Sequence, residues 1–210
     1  MKQIKTIIFD FGAVLLDISL QHAIEAFSQL SGKPVAVLSE SIYETDLFNA
    51  HEKGQLSNTD FLNRLSAQLG VEVPHQVLID HWNKVLVDLP KERLEMVQSL
   101  RENYRVLLLS NTNAIHVAQF DGMVNQHGFE GGMHAMFDKV YYSNEIGMRK
   151  PDPAIFEYVV EQENIDLSEM LFVDDNEANC KTCRALGWQV EQMKPNSGDF
   201  SFFADYGIQY

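Results

Sequence analysis

Cysteine is scarce in this chain, with Cys180 and Cys183 as its two representatives. That count excludes a disulfide-stapled scaffold and suits a reducing compartment. Their C-x-x-C spacing falls inside an expected helix from Asn176 to Leu186, with no second pair to complete a zinc site, so it predicts packing rather than metal or redox chemistry. Positive charge is also short: sixteen Lys+Arg against thirty Asp+Glu leave a formal charge of −14. Nucleic acid and anionic membrane are poor partners for such a chain. A phosphorylated small molecule is not excluded, because a lysine, backbone N–H groups and a metal can form a positive pocket in an acidic protein. No apolar run is long enough to span a bilayer. Met1–Lys5 lead straight into a strand without an apolar signal core, which makes the cytoplasm the expected compartment. Repeats and low-complexity segments are absent too. What is present is ordinary globular composition, 45% hydrophobic and 22% charged over 210 residues. Such a chain can bury a full core and carry an insert.

Four segments read as buried strands: Lys5–Asp10, Arg105–Ser110, Lys139–Ser143 and Met170–Asp174. Val106-Leu107-Leu108-Leu109 and Leu171-Phe172-Val173 are continuous apolar runs, as parallel strands covered on both faces require. Helical patterns at Lys91–Asn103, Ala114–Gln126 and Pro153–Glu163 alternate with them, and Trp188–Met193 could add an edge strand. The expectation is an α/β fold, a doubly wound parallel-sheet (Rossmann-like) core. Asp17 to Asp88 breaks the alternation, with helical patterns at Ser19–Leu30, Ser57–Leu69 and Pro74–Val87 and no convincing strand. Residues 17–88 therefore read as an inserted α-helical bundle cap, and 1–16 with 89–210 as the core. Pro195–Tyr210 is too mixed to assign.

Each core strand ends in polar residues: Asp10; Ser110-Asn111; Lys150 after the third; Asp174-Asp175. In open α/β sheets these ends converge at the ligand-binding edge. Asp10, Asp174 and Asp175 are the hard oxygen donors that Mg²⁺ prefers. Ser110 and Lys150 add a hydroxyl and a positive charge suited to phosphoryl oxygens. Taken singly, Asp174-Asp175 could instead cap the helix from Asn176, and Ser110-Asn111-Thr112-Asn113 could be an Asx-type turn.

In order along the chain, Ile7-Ile8-Phe9-Asp10-Phe11-Gly12-Ala13-Val14, Leu107-Leu108-Leu109-Ser110-Asn111-Thr112, Gly147-Met148-Arg149-Lys150-Pro151-Asp152-Pro153 and Phe172-Val173-Asp174-Asp175-Asn176-Glu177-Ala178-Asn179 resemble the four motifs of the haloacid dehalogenase superfamily. The resemblance implies a phosphoric monoester hydrolase with Asp10 as nucleophile, passing through an aspartyl-phosphate. It implies Mg²⁺ held by Asp10, Asp175 and the Gly12 carbonyl, with Asp174 behind them or bridged by water. Ser110 and the Asn111 amide would bind phosphate, Lys150 would neutralise phosphate and Asp10, and Asn179 would orient the loop around Lys150 or the metal. The expected partner is a small phosphorylated metabolite, and the expected assembly a monomer or weak homodimer.

Gly12 departs from the commoner pattern, in which a second aspartate protonates the leaving oxygen. General acid–base help of that kind is worth roughly 10²–10⁴-fold. A subset of the superfamily acting on sugar 1-phosphates shares Asp-x-Gly and is similar here at Asp10-Phe11-Gly12 and His51-Glu52-Lys53-Gly54. An anomeric oxygen leaves with little protonation, so a sugar 1-phosphate is a natural expectation. His51 and Glu52 are candidates for substrate contact from the cap, while His22 and Trp82 read as a solvated helix residue and a core residue. Two other readings stay open: a metal-independent 2-haloacid dehalogenase, disfavoured by the retained Asp174-Asp175, and a catalytically weak phosphate-binding regulatory protein.

Overall fold

The computed structural model describes residues 3–44 and 46–210, with backbone alone for 41–44. Met1 and Lys2, in the expected core segment, and Thr45, in the expected cap segment, lie outside the described residues. The strands are β1 (Thr6–Phe9), β2 (Asp17–Ile18), β3 (Leu86–Asp88), β4 (Arg105–Ser110), β5 (Lys139–Tyr142), β6 (Met170–Asp174) and β7 (Val190–Gln192). Five of them form one parallel sheet in the order β5-β4-β1-β6-β7, so the strand bearing Asp10 is central. Successive side chains of a strand face opposite ways. Ile7, Phe9, Val106 and Leu108 accordingly pack in one core layer with Phe120, Phe200 and Phe203. Ile8, Leu107 and Phe172 pack in the other with Ile155, Phe156 and Trp188. Two buried faces explain why these strands read as unbroken apolar runs.

The helices are α1 (Leu20–Ser31), α2 (Val35–Glu44), α3 (Asp46–Glu52), α4 (Asn58–Leu69), α5 (His75–Trp82), α6 (Lys91–Leu100), α7 (Ala114–Gln126), α8 (Met133–Met136), α9 (Ser143–Ile146), α10 (Pro153–Glu163) and α11 (Glu177–Ala185). The first five form the cap around a separate core that includes Phe27, Phe61, Leu65, Leu78 and Trp82. Ser57 caps α4, its Oγ accepting from Asp60 N at 3.1 Å and donating to the Asp60 carboxylate at 2.7 Å. This closes the orphan amides of the first turn, as the sequence spacing predicted.

The insert departs from expectation at both ends. Instead of helix continuing to Val87, α5 stops at Trp82, a 3₁₀ turn spans Asn83–Val85, and β3 pairs antiparallel with β2. This two-stranded ribbon joins the helical insert to the sheet. The unassigned C-terminal stretch completes the structure around it. The Asn196 side chain donates to Ile18 O (3.0 Å) and accepts from Ile18 N (3.1 Å), while Asn196 N donates to Ala13 O (2.7 Å). Phe200 and Phe203 meet Phe9 edge-on, with centroids 6.2 Å away in each case. No helix among the described residues is long and apolar enough to cross a membrane.

Candidate active site

At the C-terminal edge of the sheet, Asp10, Asp174 and Asp175 each bring a carboxylate oxygen within 4.8 Å of the others. Asp10 follows β1 because its backbone N–H still donates to Val173 O at 2.8 Å, which holds the carboxyl against β6. Lys150, 1% exposed, lies between two of the acids, its Nζ 2.7 Å from Asp10 Oδ1 and 2.8 Å from Asp174 Oδ2. Three carboxylates around one ammonium leave an excess of negative charge, the complement of a divalent cation. Asp10 and Asp175, with the Gly12 carbonyl, fit an Mg²⁺ ion in donor chemistry.

Asp174 has a different place. Its Oδ1 accepts from Asn176 N (2.8 Å) and Asn179 Nδ2 (3.1 Å), and its Oδ2 from Asn179 Nδ2 (3.0 Å) as well as Lys150. It is wholly buried and saturated with donors, and it anchors Lys150. Asn179 acts on that carboxylate, not on the loop around Lys150. The capping of α11 falls to Asn176, which accepts from Ala178 N and Asn179 N.

Burial pushes the Asp10 carboxyl up to about 7, against the pull of Lys150 and with the help of Asp174. Burial by itself would lower Lys150, but Asp10 and Asp174 outweigh it and raise the ammonium well above its ordinary value. Burial, then Asp174, also raises Asp175. A cation among these oxygens would reverse the penalty on the carboxylates.

Asn111 has a task the sequence did not announce. Its side-chain amide is committed at both ends to the Lys150 backbone, Nδ2 donating to Lys150 O and Oδ1 accepting from Lys150 N, both at 2.9 Å. Its side chain therefore clamps the loop that carries the lysine. Ser110, 2% exposed, sits at the end of β4 as anticipated. The stretch after it is held by Ser143, whose Oγ accepts from Thr112 N and donates to Thr112 O. Asn113 caps α7 by accepting from Ile115 N and His116 N. The strand end thus carries both a turn-type cap and a site residue.

The cap places its two candidates apart. His51 is 3% exposed, stacks on Phe61 with centroids 4.0 Å apart and shares a hydrogen bond with Asn58. It belongs to the cap core, not to the cleft, because an imidazole stacked on an aromatic face and hydrogen-bonded is a satisfied core contact. Glu52 does line the cleft, and one of its oxygens takes Arg149 Nε (3.0 Å) and Nη2 (2.9 Å). His22 lies at a shallow surface groove away from the site. Both cysteines are buried and reduced, and burial pushes the Cys180 thiol up to about 12.

The cleft beside Asp10 has a volume of about 190 Å³ and opens on Gly12, Ser110 and Asn111. Its walls come largely from the ribbon and the turn before β3: Ile18, Val85 and Leu86, with Trp82, Phe11 and Phe120. Trp82 was read as core and is both core and wall. Ile18 and Asn196 escaped the sequence reading, since neither belongs to a strand end or a motif.

A parallel sheet with a buried lysine and three carboxylates at its C-terminal edge, roofed by a helical insert, defines a capped α/β hydrolase. The chain belongs to the haloacid dehalogenase-like hydrolase family, whose model matches residues 4–187. It is 31% identical over 196 residues to the D-ribitol-5-phosphate phosphatase of Bacteroides thetaiotaomicron, covering 93% of each chain. A crystal structure of a haloacid dehalogenase family enzyme from B. thetaiotaomicron, in complex with magnesium and inorganic phosphate, superposes with a TM-score of 0.84 at 33% identity. That match covers 95% of this chain and 98% of the other. A sesquiterpene phosphatase of Aspergillus oryzae is 26% identical over 184 residues, 87% of this chain and 86% of that one.

Proposed function

We propose that this hydrolase is an Mg²⁺-dependent phosphatase of a small phosphate monoester, acting through an aspartyl-phosphate on Asp10. The observation that carries the reading is the buried Lys150 Nζ held within 2.8 Å of both Asp10 and Asp174, with Asp175 alongside. In the first half-reaction an Asp10 oxygen attacks phosphorus as the ester P–O bond breaks, and the departing alkoxide takes a proton from solvent water. In the second, water attacks phosphorus, returning the Asp10 carboxylate and releasing inorganic phosphate. Lys150 steadies the equatorial oxygens, Ser110 donates to one of them, and Asp174 with Asn179 keeps the ammonium in place. Bound Mg²⁺, held by Asp10, Asp175 and the Gly12 carbonyl, supplies Lewis-acid stabilisation of charge on the phosphoryl group.

A sugar phosphate is supported by the name of the B. thetaiotaomicron relative and, for an anomeric ester, by Gly12, which has no acid to lend. The retained acid pair argues against halide displacement, which needs no metal, and the intact nucleophile and lysine argue against a purely regulatory role. Phosphate release from 4-nitrophenyl phosphate and a panel of sugar and polyol phosphates, with and without Mg²⁺, tests the proposal. The expected outcome is Mg²⁺-dependent release that Asp10→Asn lowers by at least ~10³-fold, the scale of losing a covalent nucleophile. Full activity in Asp10→Asn would defeat it.

A further inference from the structure

One wall of the cleft carries a donor that the fold itself does not use. His116 sits in the first turn of α7, 7% exposed, its ring tilted against Trp82 with centroids 4.6 Å apart, and both residues line the cleft. Asn113 fixes where the imidazole keeps its proton. The Asn113 Oδ1 is taken by Ile115 N and His116 N, both at 3.1 Å, so its amide nitrogen is the atom that faces the ring, 3.3 Å from Nδ1. That NH₂ group can only donate, so Nδ1 accepts. Burial pulls the ring down to about 3, against a smaller upward pull from the Trp82 carbonyl, and so keeps it neutral. A neutral imidazole that accepts at Nδ1 carries its proton on Nε2. This Nε2–H is buried without a hydrogen-bond partner among the described residues, and so is the indole N–H of Trp82. Buried donors are normally satisfied, and one left open at the wall of a cleft calls for an acceptor on the ligand.

The cap supplies the complementary group. Glu52 lines the same cleft and gives one carboxylate oxygen, Oε2, to Arg149, which leaves Oε1 available as an acceptor. Donors on one wall and an acceptor on another suit a group able to do both, and a hydroxyl is such a group. A carboxylate would meet Glu52 as a like charge, an ammonium could accept nothing from His116, and an alkyl chain would leave the polar groups unpaired. We propose, resting on the phosphatase reading above, that His116 is a substrate-binding residue whose Nε2–H donates to a hydroxyl oxygen on the alcohol part of the phosphate monoester. Glu52 Oε1 accepts from a hydroxyl of the same group. The pair selects neutral polyol and sugar phosphates over carboxylated and deoxygenated esters of equal length, while the apolar lining of Ile18, Leu86 and Phe120 suits their carbon skeleton.

The test compares primary esters of equal carbon count, D-ribitol 5-phosphate, D-ribonate 5-phosphate and pentyl phosphate, with 4-nitrophenyl phosphate as a reporter of phosphatase competence, on the full chain with Mg²⁺. In the parent chain kcat/KM should favour the ribitol ester by at least ~10-fold over each of the other two, because a site built to bind a hydroxyl rejects an analogue without it. His116→Leu should cut the ribitol-to-pentyl ratio by at least ~10-fold, and His116→Gln, whose amide N–H can stand in for Nε2–H, should keep most of it. Each ratio is taken on one enzyme sample, so lost folded protein and the better leaving ability of the ribitol oxygen cancel between variant and parent. Glu52→Gln, which removes the charge, should narrow the ribitol-to-ribonate ratio. With 4-nitrophenyl phosphate turned over, a ribitol-to-pentyl ratio unchanged in His116→Leu would overturn this inference and leave the phosphatase reading standing. An equal fall in the Leu and Gln variants would make His116 a structural residue and overturn it too. Equal use of the ribitol and ribonate esters by the parent chain would remove Glu52 from the pair. No Mg²⁺-dependent release from any of the four esters would overturn the phosphatase reading and this inference with it.

Discussion

Two residues decide how the surroundings of Asp10 behave, and one of them is a glycine. Gly12 has an ordinary negative φ, so its backbone would accept an aspartate; the obstacle is the Ile18 methyl at 3.2 Å. Gly12→Asp alone should therefore gain little on alkyl phosphates, because the new carboxyl is forced off its line to the leaving oxygen. Gly12→Asp with Ile18→Ala should gain at least ~10-fold, part of the roughly 10²–10⁴ that a placed acid contributes. Steady-state rates on one alkyl phosphate across the four combinations check this, and equal gains in single and double variants would refute it. His116 makes a second point at the same scale. Burial pulls its imidazole down to about 3, whereas in the unfolded chain it titrates near 6.5. A group with a lowered folded pKa binds more protons when unfolded, so stability falls as pH drops below about 6.5 and continues to fall toward 3, by up to about 1.4 kcal/mol per pH unit. Urea unfolding at pH 7 and pH 5 should show a smaller loss in His116→Leu than in the parent chain.

At the scale of elements, the turn after α3 is one of the places where the cap seats on the core. Gly54, just past α3, has φ +66, and a Cβ there would collide with the Asn144 carbonyl oxygen of α9. Neither the conformation nor the backbone neighbour can give way, so Gly54→Ala should lift this edge of the cap. The expected result is a roughly tenfold rise in KM, about 1.4 kcal/mol of lost cleft closure. Arg149→Met, which removes only the ion pair to Glu52, should cost less, because both partners are about a quarter exposed and such pairs contribute ~0–1 kcal/mol. Kinetics on one substrate for both variants gives the comparison. How much of this was legible follows from the range of the interactions. Asp10, Ser110 and Asp174 could be found because a buried strand and its polar stop are adjacent in sequence. The Asn111 clamp on Lys150 joins residues 39 apart, and the Asn196 hold on Ile18 joins residues 178 apart. No local pattern announces either. The ribbon was missed for a related reason: two- and three-residue strands carry too little alternation to register against the helical periodicity around them.

For the molecule as a whole, the acidic balance and the acid cluster bear on the same quantity, the work of bringing carboxylates together. The chain carries a net −14, and at the site three carboxylates face a single lysine. A divalent cation that binds the folded state and not the unfolded one should then stabilise the protein by mass action, about 2.7 kcal/mol at a hundred times its Kd. For a chain of this length each kcal/mol moves Tm by about 2–4 °C, so saturating Mg²⁺ should raise Tm by about 5–10 °C. General screening of an acidic surface would also raise Tm, but NaCl at matched ionic strength reproduces that part and can be subtracted. Asp175→Asn separates the two contributions. It removes a carboxyl that burial and Asp174 already disfavour as an anion, so its Tm without metal should be at least that of the parent. It also removes one of the proposed ligands, so the Mg²⁺-specific rise should shrink to that of NaCl. Asp174→Asn should behave in the opposite way, losing stability without metal because Lys150 and Asn179 both depend on that carboxylate. An undiminished Mg²⁺ shift in Asp175→Asn would place the cation elsewhere and remove Asp175 from the metal site.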